Sequence, residues 1–338
     1  MFYINLVRIR LPNSNEIKEY LKVLKFVYCI CYTALYILKQ LRIFIYLIGF
    51  ISFSQADYNI TNLKINDDRP HYSLKYTQNN KVIFTSYLLA KNGKIKKKGG
   101  NPIITVFEGL ISANGQIINE KPILIDSKEL IGNITSATLS NDGKRLFIST
   151  HYNAKDKPIG NFKATNFTIK VGEYITGKGW TNFKVLPFCK ARYSYGHPVF
   201  SNDGKTLFFI ANIRGGKETT KGGSDIFKVD VLENGTYSDP KNLGPKVNSY
   251  SREMFPFLSA DNTLYFSSDR PNGFGGFDLY KSEMNADGIF EKAEKMPKPI
   301  NSEKDDFSFV INKNSISGYF SSKRLKGKGD DDIYYFSK

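Results

Sequence analysis

The chain of 338 residues is 41% hydrophobic and 14% aromatic, which excludes an intrinsically disordered protein and supplies ample material for a packed core. Three cysteines in this length exclude a disulfide-stapled scaffold. A formal net charge of +16 leaves nucleic acid, membrane surfaces and acidic partners to be weighed once the charge is located.

The first fifty residues differ from the rest. Lys39 and Arg42 precede an uninterrupted apolar run over 43–53, with small residues at Ser52 and Ser54. This is the layout of a secretory signal, and it predicts a leader over 1–54 cut after Ser54. Residues 26–38 are also apolar, so a retained anchor folded as a hairpin around Lys39 and Arg42 is the alternative. A true start near Leu38 is a third reading. Cys29 and Cys31 lie before the cut, leaving Cys189 alone, so the exported chain relies on its core and not on disulfides.

From residue 55 onward one pattern recurs: a short strand, an Asn/Asp/Gly turn, and a strongly apolar strand ending in small hydroxyl residues. The clearest turns are Ser140-Asn141-Asp142-Gly143-Lys144, Ser201-Asn202-Asp203-Gly204-Lys205 and Ser259-Ala260-Asp261-Asn262-Thr263, with weaker copies over 77–86 and 311–322. Asp-Gly and Asn-Asn supply the positive φ that a tight hairpin needs, so each unit opens with hairpin strands a and b. Phe84, Ile148, Phe209, Phe266 and Phe320 are equivalent, at steps of 64, 61, 57 and 54 residues. One step holds one four-stranded blade, with the surplus over common repeats of roughly 40–50 residues placed in loops.

Strand c follows in each unit, as in Asp225-Ile226-Phe227, Asp278-Leu279-Tyr280 and Asp332-Ile333-Tyr334, after the glycines Gly222, Gly223, Gly275, Gly276, Gly327 and Gly329. Those glycines are read as supplying backbone freedom. Residues 241–249 give a fourth strand, echoed by 296–302. The last unit lacks a fourth strand, and residues 61–67 resemble 241–249 while preceding the first unit. The early segment therefore completes the final blade. The expected fold is all-β: a five-bladed β-propeller over 55–338, with four-stranded antiparallel blades and a ring closed by an N-terminal strand.

These repeats also carry a family resemblance. The Ser-Asn-Asp-Gly-Lys turns, Phe266-Ser267-Ser268-Asp269-Arg270, Gly275-Gly276-Phe277-Asp278-Leu279-Tyr280 and the run from Asn242 to Ser249 resemble TolB-type, WD40-like propeller repeats. They are similar in particular to the propellers of Bacteroidetes OmpA-family envelope proteins. The resemblance implies an exported, non-catalytic scaffold of the periplasm or outer-membrane periphery, a monomer within a larger complex such as a secretion apparatus. No OmpA-like segment follows the repeats, so peptidoglycan attachment is not part of that implication.

In alternating strands the b–c and d–a loops emerge on one face of the disc. The b–c loops, near 90–100, 151–165, 212–223, 269–276 and 323–329, hold 16 Lys and Arg against three acids, Asp156, Glu218 and Asp269. A positive face of this kind suits envelope proteins, anionic glycans or lipopolysaccharide phosphates. Export, and the lack of an aromatic-interleaved basic helix, argue against nucleic acid.

Catalytic signals are sparse. His71, His151 and His197 fall on different units without metal-ligand spacing, and Asp330, Asp331 and Asp332 lack the further donors of a Ca²⁺ loop. No cofactor or metal is expected, and the chain is expected not to be an enzyme. The alternative is a five-bladed glycoside hydrolase using channel-mouth carboxylates drawn from Asp67, Asp68, Glu253, Asp305 and Asp306. Candidate ligand-binding residues at the channel mouth and loop face are Arg69, Arg192, His197, Arg252, Glu253, Arg270, Asp305 and Arg324.

Overall fold

The computed structural model describes residues 14–49 and 58–338, apart from 154–155, 157–165 and 234. The chain divides into two units at residue 56. The first holds one helix, α1, Ser14–Gly49, whose stretch Ile17–Gln40 is long and apolar enough to cross a membrane. The helix runs without interruption past Lys39 and Arg42, so the hairpin around those residues does not form. The proposed cut after Ser54 lies outside the described residues.

The described residues of the second unit form five four-stranded antiparallel sheets and a two-stranded ribbon that pairs Lys97–Lys98 with Asn101–Pro102. Strands a to d are His71–Tyr76, Lys81–Tyr87, Ile104–Ile111 and Ile117–Pro122 in blade 1. In blade 2 they are Ser136–Leu139, Arg145–His151, Phe167–Ile175 and Gly179–Val185. Blade 3 has Tyr195–Phe200, Thr206–Ala211, Asp225–Asp230 and Lys241–Asn242. Blade 4 has Glu253–Leu258, Leu264–Ser268, Asp278–Ser282 and Glu294–Lys295. Blade 5 takes Asp306–Ile311, Ser317–Ser322 and Asp332–Ser337 from the end of the chain and Asn59–Asn62 from its beginning. Strands a of neighbouring blades touch, which places them around the central channel.

The turns form as their residues dictate. Ser140, Ser201 and Ser259 each donate a hydroxyl to the Asp two residues on, and each accepts the amide of Arg145, Thr206 or Thr263. Gly143, Gly204 and Asn262 then take φ of 71°, 72° and 62°, and the Asn79-Asn80 pair takes 59° and 53°. Buried side chains gather into five clusters, one at each blade junction. The junction of blades 5 and 1 is as apolar as the others, with Leu63, Leu74, Phe84, Val310, Tyr319 and Ile333 meeting across it.

Closure follows the same bonds that join internal blades. Asn59, Ile60, Thr61 and Asn62 pair with Ser337, Phe336, Tyr335 and Tyr334. Beyond the strand, Asn66 accepts the Ile333 amide at 3.0 Å and donates to the Ile333 carbonyl at 2.8 Å. Asn248 does the same to Ile226, and Asn301 to Leu279. The first amide of strand a also reaches the preceding blade: Glu253 to Ser224 O at 2.9 Å, Asp306 to Phe277 O at 2.7 Å, and His71 to Asp331 O at 2.7 Å across the seam.

Two expectations are corrected. The fourth strand expected over 241–249 is only Lys241–Asn242, because Gly244 at φ 82° and Pro245 turn the chain inward to plant Asn248. Gly222, Gly275 and Gly329 do not supply a left-handed φ. They admit close approach, since a Cβ on them would strike Ser251 O, Lys304 O and Arg69 O respectively.

Candidate functional site

The face bearing the b–c and d–a loops is built from a repeated bracket. Strand a of blade 4 opens with Glu253, which is fully buried, and Arg270 follows strand b by two residues. Arg270 Nη2 reaches Glu253 Oε1 at 3.0 Å and Val247 O at 2.6 Å, while its guanidinium lies 4.6 Å from the Tyr280 ring centre. Blade 5 repeats this with Asp306 and Arg324, 2.7 Å apart, the guanidinium also bonding Pro299 O and Ile300 O. Each Arg sits over the aromatic residues of strands b and c, so its charge is neutralised and shielded inside the blade.

A second repeated device fixes the b–c loops. Asp225, Asp278 and Asp332, at the start of strand c, accept backbone amides from the loop just before them: Lys221 and Gly222, Phe274 and Gly275, Lys328 and Gly329. A carboxylate facing two converging amides holds a loop in one conformation. The Lys residues of those loops are thus carried on a rigid rim.

The structure disperses the residues singled out in the sequence. Arg69 is buried and grips Asp67 at 2.8 Å and Tyr87 O at 3.0 Å. Arg192 is exposed over the Tyr193 ring. Arg252 pairs with Asp269 at 2.8 Å and lies over Phe277. Arg270 and Arg324 are turned inward with Glu253 and Asp306. Among the carboxylates proposed for hydrolysis, Asp305 lines an open cavity, although its Oδ1 also accepts the Phe277 amide at 2.9 Å.

That cavity, about 240 Å³, is walled by Tyr72, Met254, Phe255, Phe277 and Phe307, with Asp305, Asp331 and Lys323 as its charged groups. Burial pushes the Asp331 carboxyl up to about 6, against the pull of Lys323 at 3.9 Å. One oxygen, Oδ1, is buried without a hydrogen-bond donor. Asp331 was legible in the sequence only as part of a solvated acidic triple. It lines the cavity together with Tyr72, which blade 1 supplies across the seam.

Deeper in the channel, Ser73, His197, Phe255 and Ser308, each the third residue of a strand a, adopt φ between 49° and 58° at a β-bulge. His197 stacks on Phe255 with ring centres 3.8 Å apart and accepts the Phe255 amide on Nδ1 at 3.0 Å. Burial, with Lys75 nearby, lowers the His197 ring to about 3, which keeps it neutral and acceptor-competent. Lys75 is itself buried, donates to Pro256 O at 3.1 Å, and is lowered to about 7 by desolvation. Sequence periodicity gave no sign of this lysine, which occupies a position that alternation assigns to the interior.

No protein-family model matches the chain, and no curated protein matches it. Solved structures similar to it include TolB from Acinetobacter baumannii, at 16% identity and TM-score 0.40 over 80% of this chain and 55% of that one. Prolyl oligopeptidase B from Galerina marginata shows 14% identity and TM-score 0.39 over 80% of this chain and 34% of the other. Levansucrase from B. megaterium shows 10% identity and TM-score 0.46 over 82% and 81%. The chain thus spans about half of TolB and about a third of the peptidase. At these identities the likeness concerns the fold alone. The expectation that the chain is not an enzyme is corrected: propeller enzymes prevail among these neighbours, so membership of this fold says nothing against catalysis.

Proposed function

We propose that the propeller is an exported recognition module of the cell envelope that docks an anionic partner on its b–c face. One observation carries this reading: the acids of the b–c loops are all consumed within the fold while most of the lysines are not. Asp156 pairs with the buried Lys170 at 2.7 Å, Glu218 accepts the Asn242 amide at 2.7 Å, and Asp269 holds Arg252. Lys91, Lys94, Lys96, Lys97 and Lys98 of blade 1 are exposed, as are Lys217 and Lys221 of blade 3 and Lys326 of blade 5, whereas Lys328 donates to Leu63 O at 3.1 Å. Lys155, Lys157 and Lys163 lie outside the described residues, and Arg270 and Arg324 are discounted from the rim because they face inward. A rim of uncompensated ammonium groups gathers phosphates and carboxylates. The apolar α1 and the TolB-type repeat motifs support an envelope setting.

Binding to lipopolysaccharide, lipid A vesicles and an acidic polysaccharide at rising NaCl tests the proposal. Affinity is expected to fall steeply between about 50 and 500 mM salt, and by about tenfold in the K94A/K96A/K97A/K98A variant. Salt-independent binding, or a variant that binds like the parent, defeats it.

A second reading, glycoside hydrolysis, is favoured by the pairing of a carboxyl raised to about 6 with Asp305 in an aromatic-walled cavity. Its test is release of p-nitrophenol from aryl glycosides, lost in both Asp331→Asn and Asp305→Asn while the circular dichroism spectrum is unchanged.

A further inference from the structure

The opposite face carries a larger cavity of different chemistry. It measures about 790 Å³ and is formed by the a–b turns of blades 1, 3, 4 and 5 with the c–d turn of blade 1. Around this face the turns are laced together in sequence. Gln78 Nε2 donates to Asn141 O at 2.9 Å, Asn141 Nδ2 to Asn202 O at 2.9 Å, and Asn202 Nδ2 to Ser259 O at 2.8 Å. Among the described residues no such bond continues from the blade 4 turn to the blade 5 turn, and residues of both turns line the cavity.

Its lining selects a ligand. No Asp or Glu borders it, and its cations are Lys81 and Lys313. Three half-buried rings, Tyr76, Phe257 and Tyr335, face it. Tyr319 backs two of them, at 5.8 Å from Tyr76 and 5.4 Å from Tyr335, and is locked by donating its hydroxyl to Gly115 O at 2.9 Å. A Cβ on Gly115, at φ 75°, would strike the Tyr335 ring, so the glycine sets that ring's position. Gln78 and Asn202 use their amide hydrogens on neighbouring turns, which fixes the groups and leaves carbonyl oxygens as acceptors. Asn79 and Asn80, held left-handed, bring two further amides to the rim. Beneath Phe257 lies the Lys75 ammonium, 5.6 Å from the ring centre.

An apolar ligand would leave these fixed amides unpaired, at a cost of about 1–3 kcal/mol each. A cationic ligand meets no carboxylate and has Lys75 below it. Aromatic faces beside preorganised neutral donors and acceptors instead match the alternating apolar faces and hydroxyl edges of sugar rings. The volume falls within the roughly 300–1,000 Å³ usual for small-ligand sites. We propose that this funnel binds an uncharged saccharide chain, with Tyr76, Phe257 and Tyr335 as the ring platform and the amides of Gln78, Asn79, Asn80 and Asn202 as hydroxyl partners. The site is independent of the anionic docking face, which lies at the other end of the channel.

The test is titration calorimetry of the full chain with chitotetraose, cellotetraose, maltotetraose and mannotetraose at about 20 and about 500 mM NaCl. At least one sugar is expected to bind with affinity unchanged by salt and unchanged in K94A/K96A/K97A/K98A. The Asn79→Gly/Asn80→Gly variant keeps the residue type best suited to positive φ, and is expected to bind about tenfold more weakly. Tyr335→Phe keeps the ring and is expected to bind like the parent. The proposal is overturned if no sugar binds at about 10 mM, a millimolar limit at which even weak sites register. It is also overturned if affinity follows salt, if N79G/N80G binds normally, or if an unstructured peptide displaces the sugar with higher affinity.

Discussion

Removing Arg270 tests whether the repeated carboxylate–guanidinium brackets hold the blades. Glu253 is fully buried, and its partners are Arg270 at 3.0 Å, the hydroxyls of Ser249 at 2.6 Å and Ser268 at 3.0 Å, and the Ser249 amide at 3.2 Å. Arg270→Ala leaves a buried carboxylate with neutral donors only. Breaking such a pair from one side costs about 3–5 kcal/mol, and the three surviving donors place this case near 3 kcal/mol. Urea unfolding followed by circular dichroism should show a deficit against the parent of about 3 kcal/mol at pH 7.5. Glu253→Gln/Arg270→Ala, with no buried charge, should regain part of it. A deficit under about 1 kcal/mol, or a double variant no more stable than the single, would refute the bracket.

Asn66→Ala strips both polar groups of Ile333 of their partner and should cost about 2–4 kcal/mol in urea unfolding, close to the cost of Asn248→Ala at an internal junction. A much smaller loss at Asn66 would mean that the seam is not an ordinary junction. Lys75, lowered to about 7, binds fewer protons folded than unfolded between pH 7 and about 10.4, so it makes the parent gain stability as pH rises through that window. Lys75→Met should flatten the slope, and an unchanged slope contradicts a buried, charge-starved ammonium. Asp331 is raised to about 6, so its charge is a penalty that grows as pH rises from about 4 to 6. Asp331→Asn should then be more stable than the parent at pH 7.5, by up to about 3 kcal/mol, and indistinguishable at pH 4; equal stability at both would show a solvated carboxyl.

Local chemistry made much of this fold readable. The Ser-x-Asp turns form as their side chains demand, and the strand-c Asp residues take the loop amides before them. The closing segment was recognisable because Ile65-Asn66, Val247-Asn248 and Ile300-Asn301 repeat an aliphatic residue followed by Asn, and the structure gives that Asn one job in three blades. The site was far less legible. Arg270 and Arg324 look like rim cations in one dimension, and only the carboxylate that opens strand a, 17 and 18 residues earlier, draws them inward. Tyr72 and Asp331 line one cavity only because the ring closes, at a sequence separation that no local pattern reports. The saccharide funnel likewise combines turns from four blades, each unremarkable alone.

Closure by Asn59–Asn62 decides which loops share a face, and a cross-link reads it directly. Asn59 and Ser337 are register partners, and opposed Cα atoms about 4.5–5.5 Å apart lie within disulfide reach. Asn59 and Ser317 are two strands apart, about 10 Å, and beyond it. In a Cys29→Ser/Cys31→Ser background, Cys189 is half-buried and desolvation pushes its thiol up to about 12, which leaves it inert. Mild oxidation should join Asn59→Cys to Ser337→Cys within one chain and leave Asn59→Cys with Ser317→Cys open. Failure of the first pair under conditions that keep the fold intact would contradict the closed ring, and with it the assignment of a cationic face.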